Sequence, residues 1–377
     1  MLRFIEETWS SEKLGNLCKI TMGQSPSSKN YSKNSNDTIL IQGNADLISG
    51  KIVPRIYTSE ITKLSYPGDI ILTVRAPVGD LAINEFDSCI GRGVCSIKGN
   101  KFIYYYLESL KDKHVWERLS QGSTFESVNS NDIKNLNLKI PSNSTQNHII
   151  NFFTAIDTKI ELLQKKHGEY IRFKQYLMQN IFADKSAEKL RFDDNCHYKT
   201  KKVKDFLTES KIEGTDDINK RLTVKLNLNG ITVRESKTIE KEGATKQFIR
   251  KSGQFIYGKQ NLHKGAFGIV PKELDGYLSS SDIPSFDFKG EIEPKWFYYY
   301  FSRKSFYESL ESLSTGTGSK RISPKEFLNI KLIVPELKEQ HRIVCLFAKV
   351  DEEINGISNQ ILQMNRFKKS LLQQMYV

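Results

Sequence analysis

The segment Gly253-Gln-Phe-Ile-Tyr-Gly258-Lys259-Gln260 nearly spells a loop that cradles phosphates. Gln260 stands where a Ser or Thr would hold magnesium, and the next residues, Asn261 to Gly265, start no clear helix, so nucleotide binding is not expected there. Glu293 and Lys295, with Asp282 or Asp287 upstream, could form a metal-nuclease set in which carboxylates hold an ion that activates water. Pro294 at a first helical position explains that pattern structurally. The six histidines make no metal-ligand pair at helical spacing. Tyr104-Tyr105-Tyr106 and Tyr298-Tyr299-Tyr300 offer faces on which bases could stack. Both triplets lie on amphipathic helical stretches, so core packing is expected of them. Cys18, Cys89, Cys95, Cys196 and Cys345 are odd in number and include no Cys-x-x-Cys, which fits packed thiols in a reducing cytoplasm. No catalytic residue, metal or cofactor is expected in this chain.

The charge points elsewhere. Fifty-six Lys and Arg against 44 Asp and Glu leave a formal net charge of +12 over 377 residues, and both halves are positive. Such an excess favours a polyanionic partner through counterion release. No apolar run approaches the roughly 20 residues of a membrane span. Glu6 and Glu7 with no apolar stretch beside them give no sign of a secretory signal.

The elements that would position a binding surface are written twice. Residues 101–183 align without a gap on residues 295–377, and Gly122, Pro141, Gln146 and Asp157 lie over Gly316, Pro335, Gln340 and Asp351. A repeat this long reads as a duplicated domain. Each half ends in a heptad seam. The first runs Ile149, Phe153, Ile156, Ile160, Leu163, His167, Tyr170, Lys174, Leu177, Ile181. The second runs Ile343, Phe347, Val350, Ile354, Ile357, Ile361, Met364, Lys368, Leu371, Met375. Two long helices are expected to pair with each other, with the polar seam positions fixing register or marking an opening toward a partner. The rest of each half reads as α+β. Strands are expected over 38–42, 69–74, 94–97 and 135–140, then 253–257, 268–270 and 330–334. Helices are expected over 101–119 and 296–313.

Several motifs resemble the specificity (S) subunit of type I restriction–modification enzymes. Met22-Gly-Gln-Ser-Pro-Ser27 after a short strand is similar to the start of that family's target-recognition domains. Pro67-Gly-Asp-Ile-Ile-Leu-Thr-Val-Arg-Ala-Pro-Val-Gly79 is similar to their central motif, and Gly91-Arg-Gly93 to the turn after it. The second half lacks the Arg-Ala-Pro-Val-Gly string. Its residues 255–268 and 276–284 resemble a different subclass of the same domain. Pro141-x4-Gln146 and Pro335-x4-Gln340 look like entries to the spacer helices.

The resemblance implies an α+β chain of two pseudo-symmetric α/β target-recognition domains, separated by two long antiparallel coiled-coil spacer helices. The expected divisions are 1–144, spacer 145–185, 186–338 and spacer 339–377. Each recognition domain would read half of a bipartite double-stranded DNA site, and the spacers would set the half-site separation and dock two methyltransferase subunits. Those partners would bind S-adenosylmethionine and methylate adenine N6. A restriction subunit, a motor nuclease using ATP and Mg, would join for cleavage. This chain would catalyse nothing and would be cytoplasmic.

Base reading wants polar side chains on loops held by a rigid scaffold. In the first half these are Gln24, Ser25, Ser27, Lys29, Asn30, Tyr31, Gln42, Asn44, Arg75 and Arg92, with an internal ion pair or turn anchor as the other role for Arg75. In the second they are Lys259, Gln260, Asn261, His263, Lys264, Ser280 and Ser281. Ser123 and Thr124 in one loop and Lys320 and Arg321 in its equivalent complete the set, the last two as phosphate contacts. A stand-alone metal-dependent site-specific nuclease and a coiled-coil scaffold for proteins are the alternatives.

Overall fold

Short β-branched runs bounded by Gly and Pro become strands of two to five residues, and the heptad seams become helices. The computed structural model describes residues 8–120, 127–182, 192, 197–235, 245–314 and 320–376. The chain forms two compact units. One runs through Lys165 and takes in the segment from Ile357 onward; the other spans Lys166–Gly356.

In the first unit, Lys19–Met22, Val94–Lys98, Ile70–Thr73 and Leu81–Ile83 lie side by side in that order, all antiparallel. Leu47–Ile48 and Lys51–Ile52 extend this sheet. A second sheet holds Tyr31–Ser32, Tyr57–Thr58, Thr38–Ile41, Ser88–Ile90 and Leu64–Ser65. The buried Asp69 ties the two together, accepting from Ser96 Oγ (2.8 Å) in one and Ser65 Oγ (3.2 Å) in the other. Buried polar groups persist only when paired in this way.

The second unit repeats the four-strand core. Leu207–Ser210, Ser285–Phe288, Phe255–Tyr257 and Phe267–Ile269 follow the same neighbour order, again antiparallel. Its companion strands differ: a three-stranded sheet of Glu213–Gly214, Gln247–Arg250 and Tyr277–Ser280, and a hairpin of Leu222–Val224 with Ile231–Val233. Divergence is therefore concentrated outside the shared core.

The helix expected over 101–119 is two helices, Lys101–Asp112 and Val115–Ser120, because His114 adopts a left-handed φ of 55° between them. Its counterpart is likewise divided, into Pro294–Phe301, Lys304–Ser309 and a 3₁₀ turn. Tyr105, Tyr106, Tyr299 and Tyr300 are buried, as core packing requires. Tyr106 accepts from the Lys139 amide (3.2 Å) and Tyr300 from the Ile333 amide (3.3 Å), the same bond in each repeat.

Asn143–Ile181 and Leu337–Met375 are helices of 39 residues each. Of the seam residues, Ile149, Phe153, Ile156, Ile160, Leu163, Ile343, Phe347, Val350 and Ile357 are buried, and Ile354 and Ile361 are half-buried. Within the second unit the two helices run antiparallel, since Lys174 meets Asp351 (2.5 Å) while Phe182, further along, stacks on Phe347. In the first unit Lys368 meets Asp157 (2.8 Å) and Glu108 (2.9 Å). Tyr105 donates to Asp157 and Tyr299 to Asp351, both at 2.8 Å. Each lysine thus joins the aspartate and tyrosine of the other repeat.

Candidate nucleic-acid interface

The strand registers gather the candidate loops of the first unit at one end of its sheets. Met22 pairs with Cys95 and Thr73 with Val94, so the chain leaving Met22, the chain leaving Thr73 and the turn entering Val94 are neighbours. Ile41 and Ile90 are parallel partners whose exits, Gln42 and Gly91, reach the same place. Gln24, Ser25, Gln42, Arg75 and Arg92 therefore share one edge.

Glycines make the close approach possible. A Cβ on Gly93 would stand 2.0 Å from the Gln42 carbonyl oxygen, and one on Gly23 would stand 2.1 Å from that of Gly91. Both contacts are with backbone, which cannot swing aside. Gly93→Ala is expected to displace the Gln42 turn, to destabilise the unit by about 1–3 kcal/mol and to blunt base discrimination. Thermal unfolding together with duplex competition would check this, and an unchanged stability would refute the packing argument.

The loops are held from beneath. Ser25 Oγ accepts from the Arg92 amide at 3.1 Å. The buried Asp46 accepts from the amides of Gln42 (2.8 Å) and Gly43 (3.3 Å) and from Arg55 Nε (3.0 Å), which fixes the turn bearing Asn44. Asn44 itself donates to Asp80 at 3.1 Å. Glu60 accepts from Asn30 Nδ2 (2.6 Å) and the Ser27 amide (2.9 Å), and the Asn30 bond first, then the Ser27 amide, holds its carboxyl below the usual range. Ser27 and Lys29 are exposed, while Asn30 and Tyr31 are half-buried, Tyr31 in a strand beside Thr58. Arg75 and Arg92 are exposed, and neither guanidinium is in an ion pair among the described residues. Arg75 has no internal carboxylate partner there; its backbone bridges to Ser127.

In the second unit the equivalent end is built from the loop leaving Tyr257, the turn entering Ser285 and residues 320–322. The Lys259 amide donates to Asp282 O and the Ile322 amide to Lys259 O, both at 2.9 Å. Gln260 and Lys264 are exposed, while Lys259, Asn261 and His263 are half-buried. His263 Nδ1 is buried without a hydrogen-bond partner among the described residues. Ser280 is half-buried, accepting from the Asp282 amide at 3.3 Å, and Ser281 is exposed. Lys320 pairs with Glu311 (3.1 Å) and Arg321 with Asp282 (3.2 Å) at the surface. Exposed pairs contribute little, so a phosphate could displace either carboxylate. Ser123 and Thr124 lie outside the described residues.

Two features of this edge leave little trace in the sequence. The hairpin tip at 225–230 rests on the Lys259–Lys264 loop, with the Asn227 amide on Lys264 O and the Leu228 amide on Gly265 O, each at 2.9 Å. It presents Lys225, Asn227 and Asn229, all exposed. The pair of left-handed residues at its tip, Asn227 and Leu228, gives only a weak local signal in sequence, Asn-Gly at 229–230 being its one turn mark. The other missed residue is the buried Arg250. The carboxylates that resembled a nuclease set are engaged elsewhere: Asp282 with Arg321, Asp287 with Gln254 (2.8 Å), and Glu293 with the cap of the helix at Pro294 and with His341 (3.3 Å). The near-match to a phosphate loop leads only into the 3₁₀ turn Leu262–Lys264, too short to offer a helix terminus.

Residues 6–169 and 187–364 each match the family profile described as the type I restriction modification DNA specificity domain. Among curated proteins, the chain is 36% identical over 191 residues to a protein assigned as the MjaX type I restriction enzyme specificity subunit of Methanocaldococcus jannaschii. That match spans 48% of this chain and 44% of the relative, less than half its length. The MjaIX specificity subunit of the same organism is 22% identical over 81% of this chain and 76% of its own. Among solved structures, the S subunit of a type I restriction–modification system from M. genitalium superposes with a TM-score of 0.61 at 14% identity, covering 99% of this chain and 97% of that one. A chain from a study of complex assembly and conformational transition of the type I system gives 0.56 at 15% identity, covering 98% and 97%. At these identities the structural likeness concerns the fold.

Proposed function

The chain belongs to the type I restriction–modification DNA specificity family, and from that premise we propose that it gives a methylating and restricting complex its DNA sequence preference. The observation that carries this is the same four-strand core built twice, with different polar side chains on the loops at its equivalent end. Each set reads one half of a bipartite duplex site: Gln24, Ser25, Gln42, Arg75 and Arg92 in one repeat, and Lys259, Gln260, Asn261, His263 and Ser281 in the other. Arg, Gln, Asn and Ser are the side chains that match base edges in the major groove.

The long helices dock two methyltransferase subunits, which bind S-adenosylmethionine and transfer its methyl group to adenine N6, and they set the half-site spacing. Restriction subunits using ATP and Mg join for cleavage. This chain binds and orients, and the chemistry belongs to its partners.

A map of methylated adenines by long-read sequencing tests the proposal, with the chain co-expressed beside its neighbouring methyltransferase and a control lacking it. A split motif that appears only with this chain is expected. Methylation unchanged by its removal, despite a stable complex, would overturn the reading.

Lys320 and Arg321 make a narrower case. Replacing both with Ala is expected to weaken binding to all duplexes alike and to lower the slope of log K against log salt by about 2, near one for each phosphate no longer neutralised. A change confined to one base position would instead make them base readers.

A further inference from the structure

We propose that Arg250 is the positioning residue of the second recognition surface, holding the 281–284 turn in the conformation that presents Lys259, Ser281 and Arg321; this rests on the DNA-reading function above. Arg250 is 1% exposed, and its guanidinium makes no ion pair among the described residues. Its donors go instead to serines and carbonyls on both sides of the turn. Nε reaches Ser279 Oγ at 2.6 Å and one terminal nitrogen reaches Ser285 Oγ at 2.7 Å. Longer bonds of 3.4 Å run to the carbonyls of Ser210, Ser279 and Ser280.

Ser279 and Ser280 end one strand and Ser285 begins the next, in the other sheet. The side chain therefore pins both roots of the connecting turn. Ser279 completes the brace by donating to Ile283 O at 2.8 Å. The turn in turn organises the edge, because Asp282 O takes the Lys259 amide and its carboxylate takes Arg321.

Burying a guanidinium with no carboxylate bonded to it is expensive, and burial lowers its pKa to about 10, opposed by the charge of Glu209. A planar fork with five fixed donors can bond both roots of this turn at once. The first unit solves the same problem with the buried carboxylate of Asp46 beneath the Gln42 turn.

The test uses the full chain in complex with its methyltransferase and compares Arg250→Lys, Arg250→Met and the milder Ser279→Ala. Affinity is measured for the mapped site and for duplexes altered at one base of either half. Ser279→Ala and Arg250→Met are expected to lower discrimination in the second half-site at least tenfold, with discrimination in the first unchanged and Arg250→Lys partly restoring it. If Arg250→Met does not fold, Ser279→Ala and Arg250→Lys decide. Reduced thermal stability with intact discrimination in both halves would show a merely structural residue and overturn the proposal. A wild-type complex with no sequence preference would instead overturn the functional reading itself.

Discussion

Replacing Arg75 and Arg92 together with Ala should sharply weaken the base preference of one half-site while leaving the other intact. Both guanidiniums are exposed at the same sheet end, and both lack ion pairs among the described residues. A bidentate contact from Arg to guanine is worth about 1–3 kcal/mol of discrimination. Losing two therefore removes about 2–6 kcal/mol, from roughly 30-fold to more than 10⁴-fold in relative affinity. The backbone at both positions stays held, since the Arg92 amide is bonded to Ser25 and Arg75 bridges to Ser127. Stability should consequently move by no more than about 0.5 kcal/mol, the usual effect of a surface change. Competition between the mapped site and duplexes altered in either half gives the answer. A loss shared equally by every duplex would make these arginines phosphate contacts, and a loss in both halves would defeat the modular picture.

What could be read from sequence divides by physical signal. The repeat and the heptad seams are periodic over tens of residues, and the helices Asn143–Ile181 and Leu337–Met375 follow from them. The central strand Ile70–Thr73 and its counterpart Phe255–Tyr257 are continuous apolar runs and are equally legible. The strands Glu213–Gly214 and Leu222–Val224 are not, because the first has no apolar residue and Thr223 interrupts the second, so neither is a continuous apolar run. His114 breaks a helix that its amphipathic pattern continues, since one left-handed residue leaves the apolar spacing intact. At the candidate interface the polar loops can be nominated by type, but their convergence comes from strand register. Arg250 and Asp46 are invisible for a further reason. A buried charge and a solvated one look alike in sequence, and only the packing of Ser279, Ser285 and Gln42 around them separates the two.

Lys368→Met should destabilise the first unit by on the order of 3 kcal/mol, the low end of what removing one member of a buried ion pair costs. The low end applies because Glu108 and Asp157 keep 30% and 38% side-chain exposure, so water can partly replace the ammonium. For a unit of this size the shift in Tm is about 6–12 °C. Lys174→Met should cost less, about 1 kcal/mol, because Lys174 is more exposed and meets Asp351 alone; Ser302 occupies the position equivalent to Glu108. Burial pulls the Lys368 pKa down, but Glu108 and Asp157 outweigh it and the net shift is upward. A raised folded pKa means that the stabilisation is complete below the unfolded lysine value near 10.4 and is lost as pH rises through the folded one. Burial also raises the Tyr105 phenol, which keeps it a donor to Asp157 over that range. Wild type and Lys368→Met should therefore converge in stability only in strong alkali. Hydrogen exchange in the helix Lys101–Asp112, which carries Tyr105 and Glu108, would place the loss in this unit. Adding Asp157→Asn and Glu108→Gln should recover part of it, since the carboxylates left behind are what makes the single change costly. If Lys174→Met proves the more damaging, or the triple variant is no better than the single one, the second carboxylate is not what distinguishes the two nodes.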